Sequence, residues 1–111
     1  MIASINGTIA FKSPESLIIE TGGIGYQVFI PLSTYYQLPE IKESVLLHIH
    51  THVREDVLQL YGFLSPIEKQ IFLLLTSVSG VGPKLARNIL SGMDVLELLA
   101  AIRRPVRGKG R

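Results

Sequence analysis

The sequence of 111 residues contains no cysteine. This absence excludes a disulfide scaffold and any zinc site with thiolate ligands. Long apolar runs are also missing: Ile71–Leu75 and Leu98–Ile102 have five residues each, whereas a membrane-spanning helix needs about 20. The first residues lack the basic segment and the apolar stretch of a secretory signal. We therefore expect a cytoplasmic protein.

Hydrophobic residues make up 47% of the chain, which is enough for a core, although a chain this short buries only a modest fraction of its surface. The net charge of +2 is unevenly distributed. Residues 1–64 carry three basic and six acidic side chains, whereas residues 65–111 carry eight basic and three acidic ones. This asymmetry is typical of a second half that contacts a polyanion, and equally of ordinary variation with a basic tail.

Residues 1–64 have the pattern of β-structure. Ile5, Ile9 and Phe11 alternate with polar residues, as in a strand with one buried face. In a later segment Leu47 and Ile49 lie opposite a row of histidines. Five such segments, separated by turns, predict a small closed barrel of the OB type.

The pattern changes at Ser65, where Ser65-Pro66-Ile67-Glu68 is typical of a capping box with proline at the first helical position. Apolar residues then recur at helical spacing, a second helix is predicted from Pro83 and a third from Asp94. The predicted fold class is therefore α+β in two units, an OB-like barrel over residues 1–64 and a small helical domain over residues 65–104. Residues 105–111 are mostly glycine and basic residues, so we expect a disordered tail.

The turn between the first two predicted helices is the most informative segment. Gly80 and Gly82 permit a tight turn and a close approach of a ligand to the backbone. The next helix would begin with unpaired N–H groups and a partial positive charge, which suit a phosphate, and Lys84 adds a full charge in its first turn. We expect Val81 to anchor the turn in the core and Ala86 to let the two helices cross closely.

With apolar residues before and after it, this segment is similar to the helix-hairpin-helix motif of DNA-binding proteins. Such a hairpin contacts phosphates rather than bases, so it predicts sequence-independent, salt-sensitive binding. Arg87 lies three residues after Lys84, on a similar side of the helix, and is a secondary candidate. The predicted DNA phosphate-binding residues are Gly80, Val81, Gly82, Lys84 and Arg87. The alternative is a glycine turn that joins two helices without a ligand.

Several segments, in one order along the chain, resemble the RuvA family, which binds Holliday junctions. They are Gly22-Gly23-Ile24-Gly25-Tyr26, Tyr36-Gln37-Leu38-Pro39, Val53-Arg54-Glu55-Asp56, Leu60-Tyr61-Gly62-Phe63, Gly80-Val81-Gly82-Pro83-Lys84-Leu85-Ala86 and Ile89-Leu90-Ser91-Gly92-Met93. The resemblance covers residues 1 to about 104. It implies an OB-like barrel followed by a helical domain with two helix-hairpin-helix motifs, a linker and a small carboxy-terminal domain.

The resemblance also implies a non-catalytic DNA-binding subunit without a cofactor. Four copies would form a homotetramer that holds four-way-junction DNA on its basic face, and the carboxy-terminal domain would recruit the ATP-driven RuvB motor. Glu55 and Asp56 match the acidic pin of the family, whose carboxylates repel phosphates near the crossover. From the residues alone, Arg54-Glu55-Asp56 is a polar turn between two strands, and nothing nearby supplies the other ligands of a magnesium site.

The sequence departs from the family pattern after Arg104. It continues with Pro105-Val106-Arg107-Gly108-Lys109-Gly110-Arg111 and contains only one Gly-x-Gly-Pro-Lys hairpin. We therefore interpret the chain as a truncated, amino-terminal part. On that interpretation, junction affinity is expected to fall below that of a complete protein, and recruitment of the RuvB motor is expected to be lost.

Two other groups of side chains suggest sites. His48, His50 and His52 alternate along one strand, but a spacing of about 6.5 to 7 Å between same-face neighbours is awkward for three ligands on one ion. A polar outer strand face is the favoured interpretation, and no metal site is predicted. The four tyrosines could stack on bases in an OB-type groove, although aromatic residues in strands more often belong to a core: Tyr26, Tyr35, Tyr36 and Tyr61.

Two other functions remain open. The chain could be an oligomerisation or protein-interaction fragment with little DNA binding of its own. It could also be a repair enzyme, since helix-hairpin-helix modules occur in DNA glycosylases and ligases. A glycosylase needs a base pocket with a catalytic lysine or aspartate, and Asp94 instead occupies a capping position with little chain after it.

Overall fold

A computed structural model describes residues 1–92 of the chain. The predicted helix from Asp94, the second part of the domain over residues 65–104 and the tail over residues 105–111 lie outside the described residues. Within residues 1–92, no helix is long and apolar enough to cross a membrane.

Five strands form a closed barrel with the order β1-β2-β3-β5-β4. Every neighbouring pair is antiparallel except β3 and β5, which run parallel. This arrangement confirms the predicted five-stranded, OB-like barrel. The strands are β1 (Ser4–Lys12), β2 (Ser16–Thr21), β3 (Ile24–Phe29), β4 (Ser44–Arg54) and β5 (Val57–Phe63), with a short helix α1 (Leu32–Gln37) between β3 and β4.

The interior of the barrel is filled by one face of each strand. Ile9, Leu17, Ile19, Val28 and Leu47 are completely buried there, as the alternation of apolar and polar residues predicts. At about 25 cal/mol per Å² of buried apolar surface, each such side chain contributes about 1.5–3 kcal/mol.

One member of the predicted pattern lies on the wrong face. Phe11 is 49% exposed, although Ile9 before it is fully buried. The pairing of β1 with β2 shifts between Ile9 and Phe11, because Ile9 pairs with Ile19 while Phe11 pairs with Ile18. The extra residue, Ala10, is a β-bulge that moves Phe11 to the outer face.

Two helices follow the barrel, α2 (Pro66–Thr76) and α3 (Pro83–Gly92). The hydroxyl of Ser65 accepts a hydrogen bond from the Glu68 N–H at 3.2 Å and donates one to the Glu68 carboxylate at 3.4 Å. The first of these bonds confirms the predicted cap of α2, while the Glu68 side chain returns to the hydroxyl rather than to the Ser65 backbone.

The helices pack on the outer surface of the barrel through Phe72. Its ring centre lies 5.0 Å from that of Phe63, 5.3 Å from that of Tyr61 and 5.5 Å from that of His50. Phe72 is fully buried and joins the barrel residues to Ile71, Ala86 and Leu90 in a second core. This core fixes α2 and α3 on strands β4 and β5.

Candidate nucleic-acid interface

The turn between α2 and α3 is a tight reversal built around Gly80. After α2 ends, the Val78 N–H donates to the carbonyl of Leu75 at 3.1 Å, and the Val81 N–H donates to the carbonyl of Val78 at 3.0 Å. Gly80 has a φ of +88°, a backbone conformation that strains residues with a side chain. The turn therefore requires glycine at this position.

Gly82 has a different reason to be glycine. Its φ is not positive, and a Cβ atom at this position would meet no other atom of residues 1–92 within 4 Å. No contact within residues 1–92 therefore requires glycine at this position. The backbone at Gly82 is exposed, so another molecule can approach it closely.

The first turn of α3 presents positive charge at this place. The first helical bond joins the Ala86 N–H to the carbonyl of Gly82 at 3.0 Å, which leaves the preceding N–H groups of Lys84 and Leu85 without helical partners. No acidic residue lies in the first turn to offset the helix dipole, and Lys84 is exposed. A phosphate is the kind of group that such a terminus binds.

The hairpin between α2 and α3 packs against the second core. Val81 is partly buried and packs against the second core, and Ala86 is completely buried where α2 and α3 meet. Both positions agree with the roles predicted from the sequence. Because the same core includes Tyr61 and Phe63 of β5, the hairpin has a defined place relative to the barrel.

Arg87 faces the barrel. Its Nη1 donates to the carbonyl oxygen of Glu15 at 3.4 Å, and its guanidinium carbon lies 6.0 Å from the centre of the Phe29 ring. Lys84 and Arg87 line one recess, which agrees with the prediction that they share a side of the helix. In this position Arg87 connects α3 to the barrel and adds positive potential beside Lys84.

The other end of α3 is also attached to the barrel, through α1. The backbone N–H of Leu32 donates to the hydroxyl of Ser91 at 2.8 Å, and that hydroxyl donates to the carbonyl of Arg87 at 2.9 Å. Sequence analysis did not predict this contact, because residues 32 and 91 are far apart and a serine near the end of a helix has no distinctive pattern. The contact attaches the helix that carries Lys84 to α1.

Glu55 and Asp56 occupy the two-residue turn between β4 and β5, and both are exposed. Glu55 has a φ of +47°, in the left-handed region that residues other than glycine seldom adopt. The side chains of Val53, Val57 and Leu58 next to this turn are also exposed, although they are apolar. The structure therefore presents two adjacent carboxylates at the tip of the β4–β5 hairpin, beside three exposed apolar side chains.

The histidine row of β4 points away from the interior of the barrel, as predicted, but α2 covers part of it. His50 packs against Phe72, and its ring centre is 6.3 Å from that of His52. Burial lowers the pKa of His50, and the charges of His52 and Lys69 lower it further. No three or more of the histidine, aspartate and glutamate side chains in residues 1–92 come together as a metal site.

Tyr61 is not placed to stack on a nucleic-acid base. It is 5% exposed, its ring centre lies 5.8 Å from that of Phe29, and its hydroxyl donates to Gln59 Oε1 at 3.2 Å. The interpretation of this tyrosine as a core residue is therefore confirmed. Tyr36, in contrast, is 74% exposed and lies beside Tyr35.

Comparison with known proteins gives two family matches. Residues 1–62 match the family described as RuvA N terminal domain, and residues 72–104 match the family described as SAM-like Helix-hairpin-helix tandem. The chain is 56% identical over 102 residues to the Holliday junction branch migration complex subunit RuvA of Geobacter sulfurreducens, covering 92% of this chain and 51% of the relative.

Two further relatives carry the same description. The protein of Pelobacter propionicus is 57% identical over 102 residues, covering 92% of this chain and 51% of the relative. The protein of Solibacter usitatus is 53% identical over 104 residues, covering 94% of this chain and 53% of the relative. The chain therefore spans about half the length of the curated relatives that it matches.

Proposed function

The chain belongs to the RuvA family, and we propose that it is a non-catalytic subunit that binds four-way DNA junctions through their phosphates. One observation carries this proposal: the exposed backbone at Gly82 leads directly into a helix terminus whose first N–H groups have no helical partners, with Lys84 in its first turn. Such a site recognises the shape and charge of a DNA backbone and ignores its sequence.

The residues of the hairpin have separate roles in this proposal. Gly80 makes the reversal, Val81 attaches it to the core, and Gly82 leaves room for a phosphate oxygen against the backbone. Lys84 supplies the ionic contact. Arg87, which reaches toward the barrel, adds to the positive potential as a secondary contact.

The acidic turn supplies the opposite charge. Glu55 and Asp56 lie at the exposed tip of the β4–β5 hairpin, so both carboxylates can approach DNA. Like charges repel strongly when few water molecules separate them. We assign this pair the role of an acidic pin that keeps phosphates away from the crossover and the strands apart.

At the level of the whole protein, the proposal includes a homotetramer that acts with the RuvB motor in branch migration, as part of an ATP-dependent helicase complex. The relatives carry the description of a branch migration complex subunit, and the exposed apolar side chains beside the acidic turn suit contacts between copies. The proposed location is the cytoplasm, and the proposed activity needs no cofactor.

The same apolar side chains support a second candidate, an assembly module that has little DNA binding of its own. Val53, Val57 and Leu58 would then be the functional surface, and the hairpin would be only a connection between helices. The two candidates differ in whether the isolated chain binds DNA in a salt-dependent manner.

A gel-shift titration on four-way-junction and linear duplex DNA, at low and moderate salt, tests the proposal. We expect the chain to prefer the junction, to bind less tightly at the higher salt concentration, and to lose affinity when Lys84 is replaced by alanine. Lys42→Ala is the matched control, because Lys42 is an exposed lysine before the start of β4, at the other end of this strand from the acidic turn. Equal affinity of both variants would refute the role of Lys84, and the absence of salt-dependent binding to either DNA would favour the assembly module.

A further inference from the structure

A cleft of about 520 Å³ separates the hairpin from the outer surface of β4 and β5. One wall is formed by the barrel, with His52 and Arg54 of β4 and Gln59 of β5. The opposite wall contains Gly82 and Lys84, which belong to the proposed phosphate site. The cleft therefore adjoins the proposed phosphate site, and its other wall is formed by barrel residues from a different part of the chain.

The chemistry of both walls favours an anion. Arg54 is exposed and places a guanidinium group on the barrel wall, and Lys84 lines the same cleft from the hairpin. The imidazole of His52 carries an N–H donor in either protonation state. The Gln59 side chain accepts the hydroxyl of Tyr61 with its oxygen, so its amide nitrogen remains a donor. Among residues 1–92, no residue that lines the cleft is acidic.

The spacing along β4 favours an extended anion over a small one. His52 and Arg54 are two residues apart on one face of a strand, a separation of about 6.5 to 7 Å. Successive phosphates of one nucleic-acid strand have a comparable spacing. The charge then reverses within one residue, from Arg54 to the carboxylates of the acidic turn. A DNA strand in the cleft would be attracted by the walls and repelled by the carboxylates that follow Arg54.

We propose that the barrel wall of the cleft is a second backbone-binding surface, on which His52 and Arg54 contact the strand whose phosphates bind at Gly82 and Lys84. The ligand is the sugar-phosphate backbone of one DNA strand, held from two sides. This inference rests on the proposed function and adds the barrel to the DNA-binding surface.

The test is a salt titration of the binding of a fluorescent four-way junction, measured by anisotropy, for the variants Arg54→Gln and His52→Gln. Each phosphate contact contributes about 0.7 to 0.9 to the slope of log affinity against log salt. For Arg54→Gln we expect a slope that is smaller by about this amount for each bound subunit, and an affinity that is about 3- to 10-fold lower. Arg54→Lys should keep the slope, because it keeps the charge.

Lys42→Gln removes the same charge outside the cleft and should leave the slope unchanged. Urea unfolding measures the stability of every variant. Because Arg54 is exposed, its replacement is expected to leave the free energy of unfolding nearly unchanged. If Arg54→Gln has the slope of Lys42→Gln, and His52→Gln binds the junction as tightly as Lys42→Gln does, while Lys84→Ala weakens binding, the second surface is refuted and the hairpin proposal stands. If the unsubstituted chain does not bind the four-way junction, both proposals fail together.

Discussion

Gly82→Ala should separate DNA binding from folding. A Cβ atom at this position would meet no other atom of residues 1–92 within 4 Å, and the φ of Gly82 is not positive, so this part of the chain can accept alanine without strain. Replacing glycine at a compatible position usually changes stability by less than about 1 kcal/mol, often favourably, because the unfolded chain loses freedom. We therefore expect a free energy of unfolding within about 1 kcal/mol of that of the unsubstituted chain.

DNA binding should respond much more strongly. The new methyl group would occupy the space through which a phosphate oxygen reaches the backbone N–H groups at the start of α3. A hydrogen bond to a charged group contributes about 1.5–3 kcal/mol, and 1.4 kcal/mol corresponds to a factor of ten in affinity. The loss of one such bond predicts binding about 10- to 150-fold weaker for each hairpin that contacts the junction.

The neighbouring glycine provides the contrast. At Gly80 the φ of +88° makes alanine costly for the fold, by about 1–2 kcal/mol, whether or not DNA is present. Urea unfolding measures the stability of both variants, and fluorescence anisotropy on a labelled four-way junction measures their affinity. Unchanged affinity of Gly82→Ala would refute the argument that this glycine makes room for a ligand. A loss of more than about 2 kcal/mol in its stability would refute the argument that the fold tolerates a side chain there.

Two further predictions concern stability. Gly62→Ala should lower the free energy of unfolding in urea by about 1–3 kcal/mol, because the added Cβ atom would lie 2.5 Å from Val28 Cγ1 inside the barrel; a cost as small as that of Gly82→Ala would contradict this estimate of the packing. Acidification from pH 7.5 to 5.5 should destabilise the chain in part through His50. Since burial and then the charges of His52 and Lys69 lower its pKa in the folded state, the unfolded chain binds more protons as the pH falls below about 6.5. His50→Gln should therefore flatten the pH dependence of unfolding, and two parallel curves would show that this histidine is not responsible.

Local patterns predicted the barrel and the hairpin well, for physical reasons that individual residues illustrate. A strand repeats every two residues, so the alternation around Leu47 and Ile49 predicted which face is buried. The cap at Ser65 depends on atoms three residues apart, and the structure contains its N–H bond to the serine hydroxyl. Phe11 was placed wrongly because a bulge after Ile9 changes the phase of the alternation, and an inserted alanine has no recognisable signature.

Contacts between distant segments were beyond such reasoning, and the candidate site depends on them. Alternation along β4 shows that His50, His52 and Arg54 point outward, but it does not reveal what lies outside the barrel. Phe72 of α2 covers His50, and the same packing brings the start of α3 opposite the barrel wall, next to His52 and Arg54. The hairpin could be recognised from its own segment, by its glycines, its lysine and the apolar residues before and after them. The second wall of the cleft could not, because its place beside the hairpin arises only when Phe72 packs against the rings of Tyr61 and Phe63. A substitution that weakens the packing of Phe72 should therefore weaken DNA binding at both walls, although it removes no charge from either wall.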